Sequence, residues 1–249
     1  SRRLEEFKEK WQGFWKPILV VVMAIALVLF EPDLGSSAVI FIVALSIMFI
    51  AGAPIKHLLV IFSLGISVFV LMILTVPWRM KRILSFMNPW ETYQEEGWQL
   101  SHSLIAFGRG DWFGVGLGES LQKLHYLPDA QTDFIFAIIA EELGLLFCIF
   151  LVFVFSFLVF KCFYIGRLAR HAQYYLSSYI AYGAGICIAL HVFINIGVSS
   201  GMLPTKGITL PFISFGGTNL LLMFALIALV LRINFEISES GSQGDAILL

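Results

Sequence analysis

Charge is what this sequence has least of. Asp, Glu, Lys and Arg make up 13% of its 249 residues, against roughly 25% in an ordinary soluble domain. That scarcity excludes a charge-coated globule. Together with 59% hydrophobic residues, 24 Phe and a mean hydropathy of +0.88, it makes lipid the natural solvent of the chain. Cysteine is equally sparse: Cys148, Cys162 and Cys187 lie in or beside apolar runs without CxxC spacing, which excludes a disulfide framework or a thiolate metal site. The five histidines (57, 102, 125, 171 and 191) show no HExxH or paired metal spacing and read as structural or interfacial. Neither a P-loop nor a dinucleotide fingerprint is present, so no organic cofactor is expected. A formal charge of −1 says little about partners, since the distribution of charge matters more than the total; no nucleic-acid partner is expected. Internal repeats, linkers and low-complexity tracts are missing as well. The opening residues SRRLEEFKEKWQGFWK are charged and amphipathic, not the short apolar core of a signal peptide.

Apolar length is what the chain has instead. A bilayer core of roughly 30 Å needs about 20 apolar residues in helix, and candidate spans lie at 17–31, 35–51, 57–77, 134–160, 178–199 and 211–231. Glu31-Pro32-Asp33 divides the first two into a helical hairpin, because proline breaks a helix and carboxylates avoid lipid. The expected fold is all-α: one polytopic transmembrane helical bundle over 1–249, with about six spans. A long loop fills 78–133, and a frayed polar tail runs from 238 to 249. An even number of spans puts both termini on one side. With the termini, 52–56 and 161–177 on one face, Lys and Arg divide 10 to 6 in its favour, so that face is predicted to be cytoplasmic. The 78–133 loop then faces outward.

That loop is unusually long for a structureless connection, and Trp78, Trp90, Trp98 and Trp112 predict order within it. A helix over 98–107 would align Leu100, Leu104 and Phe107, lying on the membrane or capping the bundle. The run GRGDWFGVGLG at 108–118 lets backbone pack closely or approach a ligand; its Arg-Gly-Asp triplet is read as chance. Arg79, Lys81, Arg82, Arg109 and Lys123 are cations for the outer interface, either snorkelling or meeting an anionic lipid. MLPTKGITLP at 202–211 makes a rigid turn with Lys206 as its only charge, followed by Ser214-Phe215-Gly216-Gly217. The small residues there serve helix packing or leave room for a ligand that Lys206 would contact.

Four carboxylates cluster in LPDAQTDFIFAIIAEELG, residues 127–144. Asp129 or Thr132 can cap the helix expected from about Phe134. Asp133, half out of water at a membrane edge, can instead be a base of raised pKa. Glu141 and Glu142 fall about 12 Å deeper, at roughly 80° and 180° around the helix. They cannot pair with Asp133 and must find partners inside the bundle.

Taken together, EPDLG, NPW, AFGRGDWFGVGLGESLQKLHYLP, DAQTDFIFAIIAEELG and GMLPTKGITLPFISFGG resemble the SEDS family of peptidoglycan polymerases. LPTKGITLPFISFGG is similar to its FtsW-type division branch more than to its RodA-type elongation branch. The resemblance runs from about Trp11 to Glu236. It departs at Glu31, where the family commonly has Gln, and at Asp129, where Glu is usual. It implies a glycosyltransferase that polymerises lipid II outside the cytoplasmic membrane and releases undecaprenyl pyrophosphate. Asp133 matches the family's essential carboxylate. Lys206, Arg109, Lys123 and Ser214 are nominated as substrate contacts, and a divalent cation (Mg or Mn) is the expected inorganic aid. Implied partners are a class B penicillin-binding transpeptidase and other division proteins. Family members have about ten spans, so the resemblance implies further helices ahead of these six. A lipid II flippase and a non-catalytic division scaffold remain the alternative readings.

Overall fold

The structure, a computed structural model, describes residues 11–31 and 33–246. Every regular element among them is helical. In chain order they are α1 (Trp11–Phe30), α2 (Leu34–Ile50), α3 (Ile55–Leu74), α4 (Pro77–Met87), α5 (Trp98–Gly110), a π-helical turn (Gln122–Tyr126), α6 (Ile135–His171), α7 (Tyr175–Ser199) and α8 (Gly217–Ala246). The six expected apolar helices are all present. By length and composition, α3, α6, α7 and α8 can cross a membrane, whereas the hairpin helices α1 and α2 are shorter apolar helices. The six-span expectation is therefore met in full by four helices. The hairpin turn lies beside Pro32, which is outside the described residues. Asp33 closes it as the cap of α2, accepting from the Gly35 and Ser36 nitrogens at 2.8 and 3.1 Å, which holds two otherwise orphan donors.

Three boundaries differ from the sequence reading. The expected 161–177 loop is largely helix: α6 extends to His171 and α7 starts at Tyr175, because Lys161, Arg167 and Arg170 favour helix as readily as loop. The last span begins at Gly217 instead of 211, since Pro204 and Pro211 and the left-handed Phe212 (φ 65) hold the preceding chain out of helix. The tail expected to fray from Ser238 is helical as far as Ala246, and its last three residues fall outside the described set.

The described residues form two compact units: those up to Ser67, Phe157–Ile188 and those from Met223 on; and Val68–Ser156 with Ala189–Leu222. In the first, α1, α2 and the start of α3 build a small core of Met48, Ala53 and Leu58, backed by Ile18, Leu45 and Ile61. Ser178 Oγ donates to the Gly166 carbonyl at 2.8 Å, a polar tie between neighbouring helices of the kind membrane bundles use. The second unit holds the 78–133 segment and every residue nominated for chemistry. The loop is ordered, as expected. It contains α4, whose start is set by Pro77 at its first turn, and the predicted helix at 98–107, which extends to Gly110. Its buried side is Leu100, Ser101, His102, Ser103 and Ala106, more polar than the predicted Leu100–Leu104–Phe107 stripe. Hydrogen bonds explain why: Ser103 Oγ donates to the Ser199 carbonyl at 2.6 Å. His102 joins Tyr93 Oη at 3.0 Å and Gln122 Oε1 at 2.7 Å, a structural role as expected.

Candidate active site

The site begins with a turn. Asp129 takes a left-handed conformation (φ 54), one that Asp tolerates better than most residues. Its main-chain carbonyl then accepts from the nitrogens of Thr132, Asp133 and Phe134 at 3.1, 3.1 and 3.3 Å. Thr132 Oγ1 donates to the same oxygen at 3.2 Å. The turn before α6 is thus closed by a carbonyl, in place of the side-chain caps that Asp129 and Thr132 offered.

The next three carbonyls are each taken by another segment. Phe215 N donates to Gln131 O at 2.9 Å, Ser214 Oγ to Thr132 O at 2.6 Å, and Asn195 Nδ2 to Asp133 O at 2.8 Å. Ser214 Oγ also accepts from Leu210 N at 2.6 Å, and Asn195 Nδ2 also donates to Ile208 O at 2.7 Å. The prolines and these bonds make the loop between α7 and α8 rigid: Thr205, Ile208, Leu210 and Ser214 are all buried. Within it Gly207 lies against the carboxylate of Asp133, so closely that a Cβ there would stand 2.8 Å from Oδ2. Only a residue without a side chain leaves the carboxylate its place.

Asp133 itself is half-buried. Burial, then the neighbouring Asp129 charge, push its carboxyl up to about 6, and a hydrogen bond from Thr132 pulls partly the other way. Such a group is mostly ionised near neutral pH yet basic enough to accept a proton.

Of the other nominated residues, Lys206 stands one position before Gly207. Ser214 holds the loop onto Thr132. Arg109 and Lys123 are engaged by buried or half-buried carboxylates. Arg109 pairs with Glu141, and Lys123 Nζ lies 2.6 Å from Glu142 Oε1 and 2.6 Å from the Gly118 carbonyl. The cause is desolvation: Glu141 is 0% exposed and must be compensated from nearby. Ser120 Oγ at 2.5 Å and the Leu121 and Gln122 nitrogens at 3.2 and 3.4 Å complete its shell. Arg109→Ala is accordingly expected to destabilise the fold by about 3 kcal/mol, the lower end for breaking a buried pair, while leaving KM for the substrate little changed. Thermal unfolding and initial rates measured on the same preparation check both.

The glycine-rich run has a structural task that depends on the same carboxylates. Helix α6 is broken at Gly144, which adopts φ 76 and ψ −179. Leu145 N and Leu146 N, which would bond to the Glu141 and Glu142 carbonyls in an unbroken helix, donate instead to Asp111 O and Trp112 O at 2.9 and 3.3 Å. The freed carbonyls of Glu141 and Glu142 accept from Val115 N and Gly116 N, both at 3.0 Å. The 111–116 segment inserts into the break and satisfies all four groups, as irregular backbone at membrane depth requires. A half-open cavity of about 330 Å³ beside the break is lined by Phe107, Gly108, Asp111, Trp112, Ala140, Leu145 and Cys148. Asp133 does not line it.

Asn195 was not anticipated, although a lone amide in the apolar run HVFINIGV is a readable signal for a buried polar tie. Among the described residues no three His, Cys, Asp or Glu side chains gather as a metal cage. The neighbouring carboxylates Asp129 and Asp133 are a donor set that a Mg ion, which keeps several waters and takes substrate phosphate, could use.

The sequence model of the FtsW/RodA/SpoVE family, described as cell cycle protein, matches residues 1–239. The chain belongs to this family. A relative from Saccharophagus degradans named "Probable peptidoglycan glycosyltransferase FtsW" is 47% identical, over 98% of this chain and 63% of its own length. One of the same name from Aeromonas salmonicida is 43% identical, over 97% of this chain and 61% of its own. The chain thus spans about three-fifths of these relatives. Among solved structures, a chain from work titled "Structural coordination of polymerization and crosslinking by a peptidoglycan synthase complex" superposes with a TM-score of 0.68 at 24% identity, covering 92% of this chain and 63% of that one. The rod shape determining protein RodA of Thermus thermophilus gives 0.61 at 23%, covering 94% and 61%. These likenesses establish the fold as that of the family's polytopic membrane proteins, and the FtsW-type resemblance is borne out by the relatives' names.

Proposed function

We propose that the protein carrying this chain polymerises lipid II into glycan strands during cell division, with Asp133 as general base. The observation that supports this most is the Asp133 carboxylate itself: half-buried, raised toward neutrality, and held against a rigid loop that carries a lysine. Asp133 would take the proton from the GlcNAc 4-hydroxyl of an acceptor lipid II. That oxygen forms a bond to the anomeric carbon of the lipid-linked donor, on the face opposite the leaving group. The bond to undecaprenyl pyrophosphate breaks and its electron pair leaves with the phosphate, so the configuration inverts. The departing charge needs cations. Lys206 is on the loop, and Arg82 reaches it by donating from Nη1 to the Thr205 carbonyl at 3.5 Å. These two replace Arg109 and Lys123 in the reading, and a divalent ion on Asp129 and Asp133 would assist by neutralising phosphate charge when bound.

The termini are read as cytoplasmic and the 78–133 segment as extracytoplasmic, on the distribution of Lys and Arg. A class B penicillin-binding transpeptidase and other division proteins are the partners proposed. The flippase alternative needs deep charges along a pathway, and Glu141 and Glu142 are engaged by Arg109 and Lys123. Polymer formation from purified lipid II in detergent separates the readings, because detergent has no leaflets to flip between. Glycan ladders support a polymerase, and their complete absence from an otherwise folded complex with its partner would overturn it.

The pH dependence follows in sign from Asp133. Its ionised form is the base, so the rate is expected to rise as pH rises through about 6 and to level off above. Folding runs the other way. A carboxyl whose pKa is raised on folding makes the folded state relatively less stable as pH climbs from its ordinary value through about 6. A pH–rate profile with a flat acid limb contradicts the assignment.

A further inference from the structure

We propose that Asn195 is a positioning residue for the transfer step, setting the Asp133 carboxylate against the loop that carries Lys206 and Gly207. The inference rests on the reading of Asp133 as the base. Asn195 lies in the last turns of α7 and is 1% exposed. Its amide nitrogen donates to Asp133 O at 2.8 Å and to Ile208 O at 2.7 Å. Two carbonyl acceptors at that distance settle which end of the amide points there, since the amide oxygen would face two other oxygens. One side chain therefore joins the main chain of the aspartate to the main chain next to Gly207.

Ser214 and Phe215 make parallel ties, but they reach Thr132 and Gln131 from the far end of the loop. Asn195 acts where the fit is tightest. Ile208 follows Gly207, and Gly207 sits close enough to the Asp133 carboxylate that a Cβ would meet Oδ2 at 2.8 Å. A slip of Ile208 relative to Asp133 therefore moves the carboxylate relative to Lys206, and misplacement by about 1 Å is enough to slow a positioned reaction on the order of 10²-fold. A second observation points the same way. Asn195 Oδ1 is buried with no partner among the described residues, which is unfavourable for stability. What asparagine supplies over an apolar side chain of similar volume is its two donors.

The test uses the complete protein that carries this chain, purified in detergent, with initial rates of lipid II polymerisation measured against substrate concentration and pH. Asn195→Leu is expected to lower kcat by on the order of 10–100-fold with KM within about twofold, at rates normalised to folded protein. Asn195→Gln, which keeps the donors on a longer arm, should recover part of kcat. If Asn195→Leu does not accumulate, Asn195→Ser, too short to reach both carbonyls, is judged by the same criteria. Asp133→Asn is run in parallel. A normal kcat per folded molecule in the Asn195 variants, with Asp133→Asn inactive, overturns this proposal alone. An active Asp133→Asn overturns the reading beneath it.

Discussion

Asp133→Asn, made in the complete protein that carries this chain, is expected to cut the rate of polymer formation from lipid II by about 10²–10⁴-fold, the usual contribution of a positioned base. Substrate binding should persist, because the substitution keeps the size of the side chain and every main-chain bond of the turn. Stability should not fall. The carboxylate it removes is one that burial and Asp129 disfavour in its ionised form, so at neutral pH the neutral amide relieves a desolvated charge. A rate loss without a loss of Tm is therefore the signature expected of a catalytic group. Normal polymerisation by Asp133→Asn would remove Asp133 from the chemistry. A parallel drop in Tm would recast it as a structural residue of the turn.

The second large effect belongs to a glycine inside α6. Gly144→Ala is expected to destabilise the protein by about 3 kcal/mol or more, combining backbone strain in a nearly glycine-only region with a steric clash. The clash has no easy relief, because a Cβ there would meet main-chain atoms of Trp112, Phe113 and Gly114, which cannot rotate away as a side chain could. Displacing the inserted segment would strip partners from Leu145 N, Leu146 N and the Glu141 and Glu142 carbonyls together, each costly to leave unpaired in an apolar setting. Gly108→Ala is the matched control. Gly108 is helical and a Cβ there meets nothing within 4 Å, so alanine should be neutral or mildly stabilising. Thermal unfolding of both variants in the same detergent decides it. Equal Tm values would mean that the break at Gly144 is not held by the insertion.

The apolar helices are legible from sequence because transfer of a long side-chain run into lipid depends on composition, which needs no tertiary information. The same holds for α5, where Leu100, Leu104 and Phe107 carry helical periodicity. Boundaries at charged or proline-rich ends are less legible. Lys161 to His171 reads as a charged loop, yet its Lys, Arg, Leu and Ala are good helix formers and continue a helix that has already begun. The Asp133 site is half legible. A carboxylate at the mouth of an apolar helix signals an unusual environment, and the LPTKG turn is visible in its prolines. Their meeting is not visible, because about seventy residues and two entire helices separate them, and it takes Asn195, Ser214 and Phe215 to bring them into register.

Arg109 and Lys123 show the limit most clearly. As residues in an outer loop they are cations near an anionic substrate, and nothing local distinguishes them from Lys206. Folding shows that Glu141, fully buried, draws Arg109 and the Ser120–Gln122 backbone onto itself, and that Glu142 takes Lys123. By itself the sequence determined the solvent of the chain, its helices, its family and the identity of the one carboxylate worth testing, because each follows from composition or an ordered motif. Which cations are neutralised, where α6 breaks and what aims Asp133 were decided by tertiary structure alone, since a charge or an amide is partnered by whatever folding brings within about 3 Å of it.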